Sequence, residues 1–191
     1  PDADLEKAAK GAVGGMNFTW CGQSCGSTSR LFLHESVYDR VLEGVLKHVK
    51  SHKPGIPTEM DCTMGAIISK QQLEKILSYI EIGRKEGATL ACGGKRPHDP
   101  RLAGGWFVEP TVFTNVTQTM RIANEEIFGP VLSVLKWRDE EELFPLGPST
   151  DMLAEGTGRI RVNAVYWLLD MADKRPEEGA KVGVQLKAAG R

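Results

Sequence analysis

Phe18-Thr19-Trp20-Cys21-Gly22-Gln23-Ser24-Cys25-Gly26-Ser27-Thr28-Ser29 leads straight into Arg30-Leu31-Phe32-Leu33-His34, and this junction decides the fold. Its first part is uncharged but rich in Gly, Ser, Thr and Gln, a composition that breaks the preceding helix and suits a buried or active-site segment. Its second part is a short apolar run of strand type. Upstream, Leu5, Ala8, Ala12, Val13 and Met16 recur at helical spacing between Ala3 and Met16, with Asp2 or Asp4 in place to cap. The junction is therefore a helix, a glycine-lined turn and a buried strand.

Working outward, a second amphipathic helix is expected from Ser36 to about Val49, with Tyr38, Leu42, Val45 and Val49 on one face. Pro54-Gly55-Ile56-Pro57 ends it. Leu73, Ile76, Leu77 and Ile80 sit at i, i+3, i+4 and i+7 and mark a third helix, with Gly87 near its end. Strands are expected over Ala88–Cys92, Trp106–Phe113 and Val131–Leu135. Strands alternating with helices predict an α/β fold: an open, mostly parallel sheet covered by helices. From Pro145 the texture changes. Gly147, Pro148, Gly156 and Gly158 interrupt any long element, leaving an expected linker, one apolar stretch from Ile160 to Leu169 and a Gly-, Ala- and Lys-rich tail.

Composition narrows the function classes. A length of 191 residues with 41% hydrophobic and 26% charged residues is that of an ordinary globular chain. A formal net charge of −1 gives no reason to expect a nucleic-acid partner or an anionic membrane surface. The Gly11–Ser29 run is too polar for a bilayer span, and the acidic start Pro1-Asp2-Ala3-Asp4 is unlike a signal peptide. A chain beginning with Pro fits a fragment or a processed product. Cys21, Cys25, Cys62 and Cys92 form no CxxC pair and the four His are scattered, which argues against zinc. Free thiols in a cytoplasmic setting are the expectation, with the sequons at Asn17 and Asn115 read as chance matches.

Among the four cysteines, Cys25 stands out. A cysteine is more often buried and inert than reactive, but Gly22, Gln23, Gly26 and Ser29 surround this one where a core would place bulky apolar groups. Cys21 is expected to be a packing neighbour, and Cys62 and Cys92 to be structural. Glu125-Glu126-Ile127-Phe128-Gly129-Pro130 is the second candidate. On its own the acidic pair is a solvated stretch before a strand; the Phe-Gly-Pro after it makes it specific. Gly156-Thr157-Gly158 lacks the third glycine and the preceding strand of a dinucleotide fingerprint.

Taken together, the Phe18–Cys25 stretch followed by Ser29-Arg30, the Glu125–Pro130 segment, and the intervening Met64-Gly65-Ala66-Ile67, Gln71–Ile76 and Glu86-Gly87-Ala88 … Gly93-Gly94 resemble the aldehyde dehydrogenase superfamily in the family's own order. The resemblance covers residues 1 to about 143 and sets residues 144–191 apart as a divergent, shortened segment. It implies an enzyme that oxidises an aldehyde to a carboxylic acid with NAD or NADP, through a thiohemiacetal and a thioester on Cys25. A thiolate is the strongest side-chain nucleophile near neutral pH, and backbone N–H groups of the turn are suited to an oxyanion. The resemblance further implies that Glu126 holds the nicotinamide ribose hydroxyls, that Phe128 packs beside that ribose, and that Lys75, with Gln72, lies near the adenosine ribose. Its partners are then a small-molecule aldehyde and, within a homo-oligomer, further copies of the chain.

Departures from the family pattern motivate a rival. The family's Rossmann-like cofactor domain, its general-base Glu in a Glu-Leu-Gly-Gly motif and its oxyanion Asn all belong upstream of Pro1. Downstream, Gly158-Arg-Ile-Arg-Val-Asn163 resembles a family segment that should follow about forty residues of strand, helix and strand, for which Phe144 to Thr157 is far too short, and Lys187-Ala-Ala-Gly-Arg191 resembles the family's terminus. The rival reading is a catalytically incompetent remnant that associates with full-length subunits through its sheet. A third reading keeps only a thiol esterase activity of Cys25.

Overall fold

In the computed structural model, which describes residues 3–139, four strands make one sheet. They are β1 (Arg30–His34), β2 (Thr89–Cys92), β3 (Thr111–Val116) and β4 (Val131–Trp137), ordered β1-β4-β3-β2. The central strand β4 runs parallel to both β1 and β3, and β2 joins β3 antiparallel at one edge. Two of the three pairings are thus parallel, and the expected open, mostly parallel sheet is what forms. Val131–Leu135 is buried at five consecutive positions without alternation. Such a run marks a strand covered on both faces.

Four helices accompany the sheet: α1 (Leu5–Gly15), α2 (Tyr38–Val49), α3 (Lys70–Lys85) and the short α4 (Arg121–Asn124). Local chemistry sets their limits. The Asp4 carboxylate accepts from the Glu6 and Lys7 N–H groups, and the Ser69 hydroxyl accepts from the Gln72 N–H, so each satisfies donors that a helix start leaves open. Gly87, at φ +95°, follows α3 and turns the chain into β2. On α2 the buried line is Tyr38, Val41, Val45 and Val49; Leu42, expected on that face, is only partly buried. The expected start at Ser36 gives way to a turn in which the Ser36 N–H donates to His34 Nδ1 at 3.2 Å.

Glycines set the spacing between layers. A Cβ on Gly44 of α2 would sit 2.8 Å from the Ala9 Cβ of α1, and one on Gly83 of α3 would meet Ile122 and the Phe113 ring. Leu33, Phe113, Leu132 and Ile76 are fully buried in the shared core.

The expected strand Trp106–Phe113 is corrected to Thr111–Val116. Residues 106–110 bond to loops instead of the sheet: the Trp106 carbonyl accepts from Ile67 N–H and the Glu109 N–H donates to the Lys95 carbonyl. Pro110 has no N–H to offer a ladder. Pairing begins with Thr111 and continues past Phe113 through Asn115, whose left-handed φ of 53° coincides with the register shift between Phe113 and Val116. β4 extends two residues beyond its expected end. Among the described residues no helix is long and apolar enough to cross a membrane. The linker, the apolar stretch over 160–169 and the terminal segment lie outside the described residues.

Candidate functional site

The cysteine turn is built from a run of left-handed residues. Asn17, Cys21 and Gly22 have φ of 56°, 57° and 62°, and the 3-10 turn Phe18–Trp20 lies between the first two. Such conformations are costly for most side chains, so the surroundings must hold them. Met16 and Phe18 are fully buried anchors. The Asn17 amide donates to the Gly15 carbonyl and the Ser27 hydroxyl, and the Thr28 N–H closes the base of the turn on the Gly15 carbonyl at 2.9 Å.

Two side chains staple the turn to the segment 65–68. The buried Cys21 thiol donates to the Gly65 carbonyl at 3.2 Å, and Gln23 Oε1 accepts from the Ile68 N–H at 3.0 Å. Burial pushes the Cys21 thiol up to about 11, so it stays protonated and inert near neutral pH. That agrees with its expected packing role. Cys25, four residues on, is exposed and free. The Ser24 hydroxyl accepts the Gly26 N–H at 3.2 Å and so bridges across Cys25, taking up one backbone donor of the turn.

The acidic loop is tied to α3. Lys75 Nζ donates to the Glu126 carbonyl at 2.9 Å, and the Gln72 amide donates to the carbonyls of Ile127 and Phe128, each at 2.9 Å. Three consecutive carbonyls are therefore satisfied by two side chains one helical turn apart. Phe128 has φ 57°, and a Cβ on the following Gly129 would lie 2.5 Å from Ile76 of α3. Glu126 itself is exposed and Phe128 half-buried. Glu125 turns the other way: its carboxylate accepts from the Tyr79 hydroxyl and makes a two-pronged pair with Arg121 at 2.7 and 3.0 Å. The Arg121 guanidinium, and after it the Tyr79 hydroxyl, hold the Glu125 carboxyl down at about 2. The same hydrogen bond to Glu125 raises the Tyr79 hydroxyl above its ordinary value.

One contact joins the two halves. A side chain on Gly22 would run into the Gly129 carbonyl and come within 2.8 Å of Met16 Cε. The cysteine turn and the acidic loop are packed backbone to backbone at this point, three residues before Cys25 and three residues after Glu126. Reading the sequence alone missed this glycine pair and the Tyr79–Glu125–Arg121 cluster, although the i,i+4 spacing of Arg121 and Glu125 was visible. Cys62 and Cys92 are partly buried, their thiols donating to the Met64 and Pro110 carbonyls. Among the described residues no group of His, Cys, Asp or Glu is arranged to hold a metal ion.

Fold and site together define a class: an α/β unit that presents an exposed cysteine on a glycine-lined helix-to-strand turn, beside an acidic loop leading into the central parallel strand. The chain belongs to the aldehyde dehydrogenase family, whose model matches residues 1–152. It is 50% identical over 155 residues to aldehyde dehydrogenase tropH of Talaromyces stipitatus, a match covering 79% of this chain and 30% of that protein. It is 47% identical over 156 residues to betaine aldehyde dehydrogenase of Mesorhizobium japonicum, covering 81% and 32% respectively. The NAD+ complex of betaine aldehyde dehydrogenase from Staphylococcus aureus superposes with a TM-score of 0.72 at 40% identity, covering 76% of this chain and 29% of that one. The NAD+ complex of aldehyde dehydrogenase from Bacillus cereus gives 0.71 at 43% identity, covering 79% and 30%. The chain thus spans about three tenths of the length of the relatives it matches.

Proposed function

We propose that this chain carries the nucleophile half of an NAD-dependent aldehyde oxidation, with Cys25 as the nucleophile and Glu126, Phe128 and Lys75 as cofactor contacts. The packing of Gly22 against Gly129 supports the reading most directly, since these two backbones meet three residues from the exposed Cys25 and three from the exposed Glu126. The S. aureus and B. cereus relatives were solved with NAD+, and the S. aureus enzyme with one cysteine either modified by or free of 2-mercaptoethanol. The division into residues 1–143 and a divergent 144–191, a cytoplasmic location and assembly into a homo-oligomer belong to the same proposal.

The donor set suits the cofactor. An ionised Glu126 is an acceptor-only group and matches the paired hydroxyl donors of a ribose. Phe128 offers an apolar ring beside it. Lys75 has three N–H donors, and its bond to the Glu126 carbonyl uses only one. When bound, a nicotinamide cofactor supplies the acceptor for the hydride lost by the aldehyde carbon.

The chain's own part is nucleophilic. Cys25 Sγ, as thiolate, forms a bond to the carbonyl carbon while the carbonyl π electrons move onto oxygen. Loss of hydride from that carbon leaves a thioester on Cys25, and attack by water, with one of its protons passing to solvent, breaks the C–S bond, releases the acid and returns the thiolate. Buried Cys21 takes no part.

Thiol labelling tests the assignment. Cys25 should react with iodoacetamide at least about tenfold faster than Cys21, Cys62 or Cys92 in the folded chain, since exposure and thiolate access govern the rate. NAD+ should slow that labelling more than NADP+ does. Equal rates at all four thiols would sink the nucleophile assignment; equal protection by the two nucleotides removes the preference for NAD. Turnover of an aldehyde panel that includes betaine aldehyde then separates an active chain from a remnant.

A further inference from the structure

Glu125 and Glu126 are adjacent carboxylates with opposite surroundings, and the cluster around the first fixes the second. We propose that Tyr79 and Arg121 are positioning residues for Glu126: by locking Glu125 onto α3 they set the direction in which the Glu126 carboxylate leaves the loop. The role of Glu126 in cofactor contact rests on the function proposed above; the lock itself does not.

The geometry carries the inference in three steps. Glu125 has an extended backbone, φ −105° and ψ 147°, and in extended chain successive side chains point to opposite sides. Glu125 is drawn to the α3 side by the Tyr79 hydroxyl and by both prongs of Arg121, so Glu126 is sent away from it. The backbone is then held from swivelling, because Lys75 and Gln72 occupy the carbonyls of residues 126, 127 and 128.

The cluster is cross-braced. The Arg121 guanidinium lies 5.4 Å from the Tyr79 ring centroid and the Lys75 ammonium 5.8 Å from it, both within cation–π range. The Arg121 N–H donates to Glu86 just beyond the end of α3 at 2.8 Å, which fixes the start of α4. Neutralising Glu125 in this way also removes a free like charge from beside Glu126. The low position of the Glu125 carboxyl, caused first by Arg121 and then by Tyr79, agrees with this arrangement.

Hydrogen exchange of the full chain, read on peptides spanning residues 125–129, tests the lock. Arg121→Gln and Tyr79→Phe should each speed exchange of those amides about two- to fivefold, as expected for loss of an exposed but well-formed charge pair or hydrogen bond, while α1 and β1 stay unchanged. Arg121→Lys keeps the charge but only one prong and should recover part of the protection, which a packing role for Arg121 does not predict, since Gln and Lys both fill the aliphatic part of the site. Unaltered exchange in Arg121→Gln and Tyr79→Phe overturns the proposal, as does an Arg121→Lys chain as loose as Arg121→Gln. The NAD+ concentration that half-protects Cys25 from iodoacetamide is measured on the same variants. A two- to fivefold rise in Arg121→Gln and Tyr79→Phe, partly reversed in Arg121→Lys, supports positioning of Glu126, whereas a loosened loop with unchanged half-protection overturns it. Absence of NAD+ protection in the unsubstituted chain counts against the cofactor reading alone, and the lock is then decided by the exchange data.

Discussion

Two cysteines four residues apart have opposite chemistry because of where their sulfurs lie. Cys21 is sealed under the turn with its thiol on the Gly65 carbonyl, and Cys25 stands exposed at the crest. A thiol raised from 9.0 to about 11 makes the folded state hold a proton that the unfolded chain releases. Stability should therefore fall as pH rises across that window, by an amount on the order of 2 kcal/mol. The difference in urea midpoint between the unsubstituted chain and Cys21→Ala should shrink from pH 9 upward; a constant difference would refute the burial argument. At Gly22 the constraint is steric. Gly22→Ala meets both a left-handed φ and the Gly129 carbonyl, and should cost about 2–4 kcal/mol in stability. It should also change the iodoacetamide rate of Cys25, because the turn and the acidic loop must separate. Gly11→Ala, where a Cβ meets nothing within 4 Å, is the matched control and should be neutral or stabilising.

At the scale of elements, α3 does more than cover the sheet. One flank of the helix buries Leu73, Ile76, Ile80 and Gly83, and Gln72, Lys75 and Tyr79 extend from it to the acidic loop. The start of α3 therefore matters to the site. Ser69→Ala removes the hydroxyl that accepts from Gln72 N–H, and should cost about 1 kcal/mol of stability by denaturant titration. Ser69→Asp should retain most of it, since aspartate is also a good cap. The periodicity of this helix was legible because its apolar positions follow the 3.6-residue repeat. α4 was not legible: four residues are too few to show a period, and its place is set by contacts of Arg121 with Glu86 and Glu125 that lie far apart or outside the helix.

For the whole molecule, β4 is the axis. It is buried on both faces and accepts β1 and β3 on either edge, so the cysteine-bearing segment reaches the sheet on one side of β4 while the acidic loop enters β4 from its N-terminal end. Phe113, on the neighbouring strand, is fully buried and touches the position of Gly83 on α3. Phe113→Ala should cost about 3–5 kcal/mol, measured by urea unfolding, and should loosen α3 as well as β3. A loss well under 1 kcal/mol would show that the two layers do not share a core.

The sequence by itself determined the helix–turn–strand junction, the three longer helices, the mostly parallel sheet and the two segments bearing Cys25 and Glu126. Each of these rests on local signals: apolar spacing, caps, glycines and short motifs. It misplaced β3, because an extended apolar stretch looks the same whether its backbone pairs with a sheet or with loops, and Pro110 and the left-handed Asn115 decide between the two only once partners are present. Only the tertiary structure decided that Gly22 rests on Gly129, that the Cys21 thiol is held by the Gly65 carbonyl, and that Glu125 is locked by Tyr79 and Arg121. These depend on contacts across as many as about a hundred residues of chain, where no local periodicity carries the information and the geometry of packing alone sets the outcome.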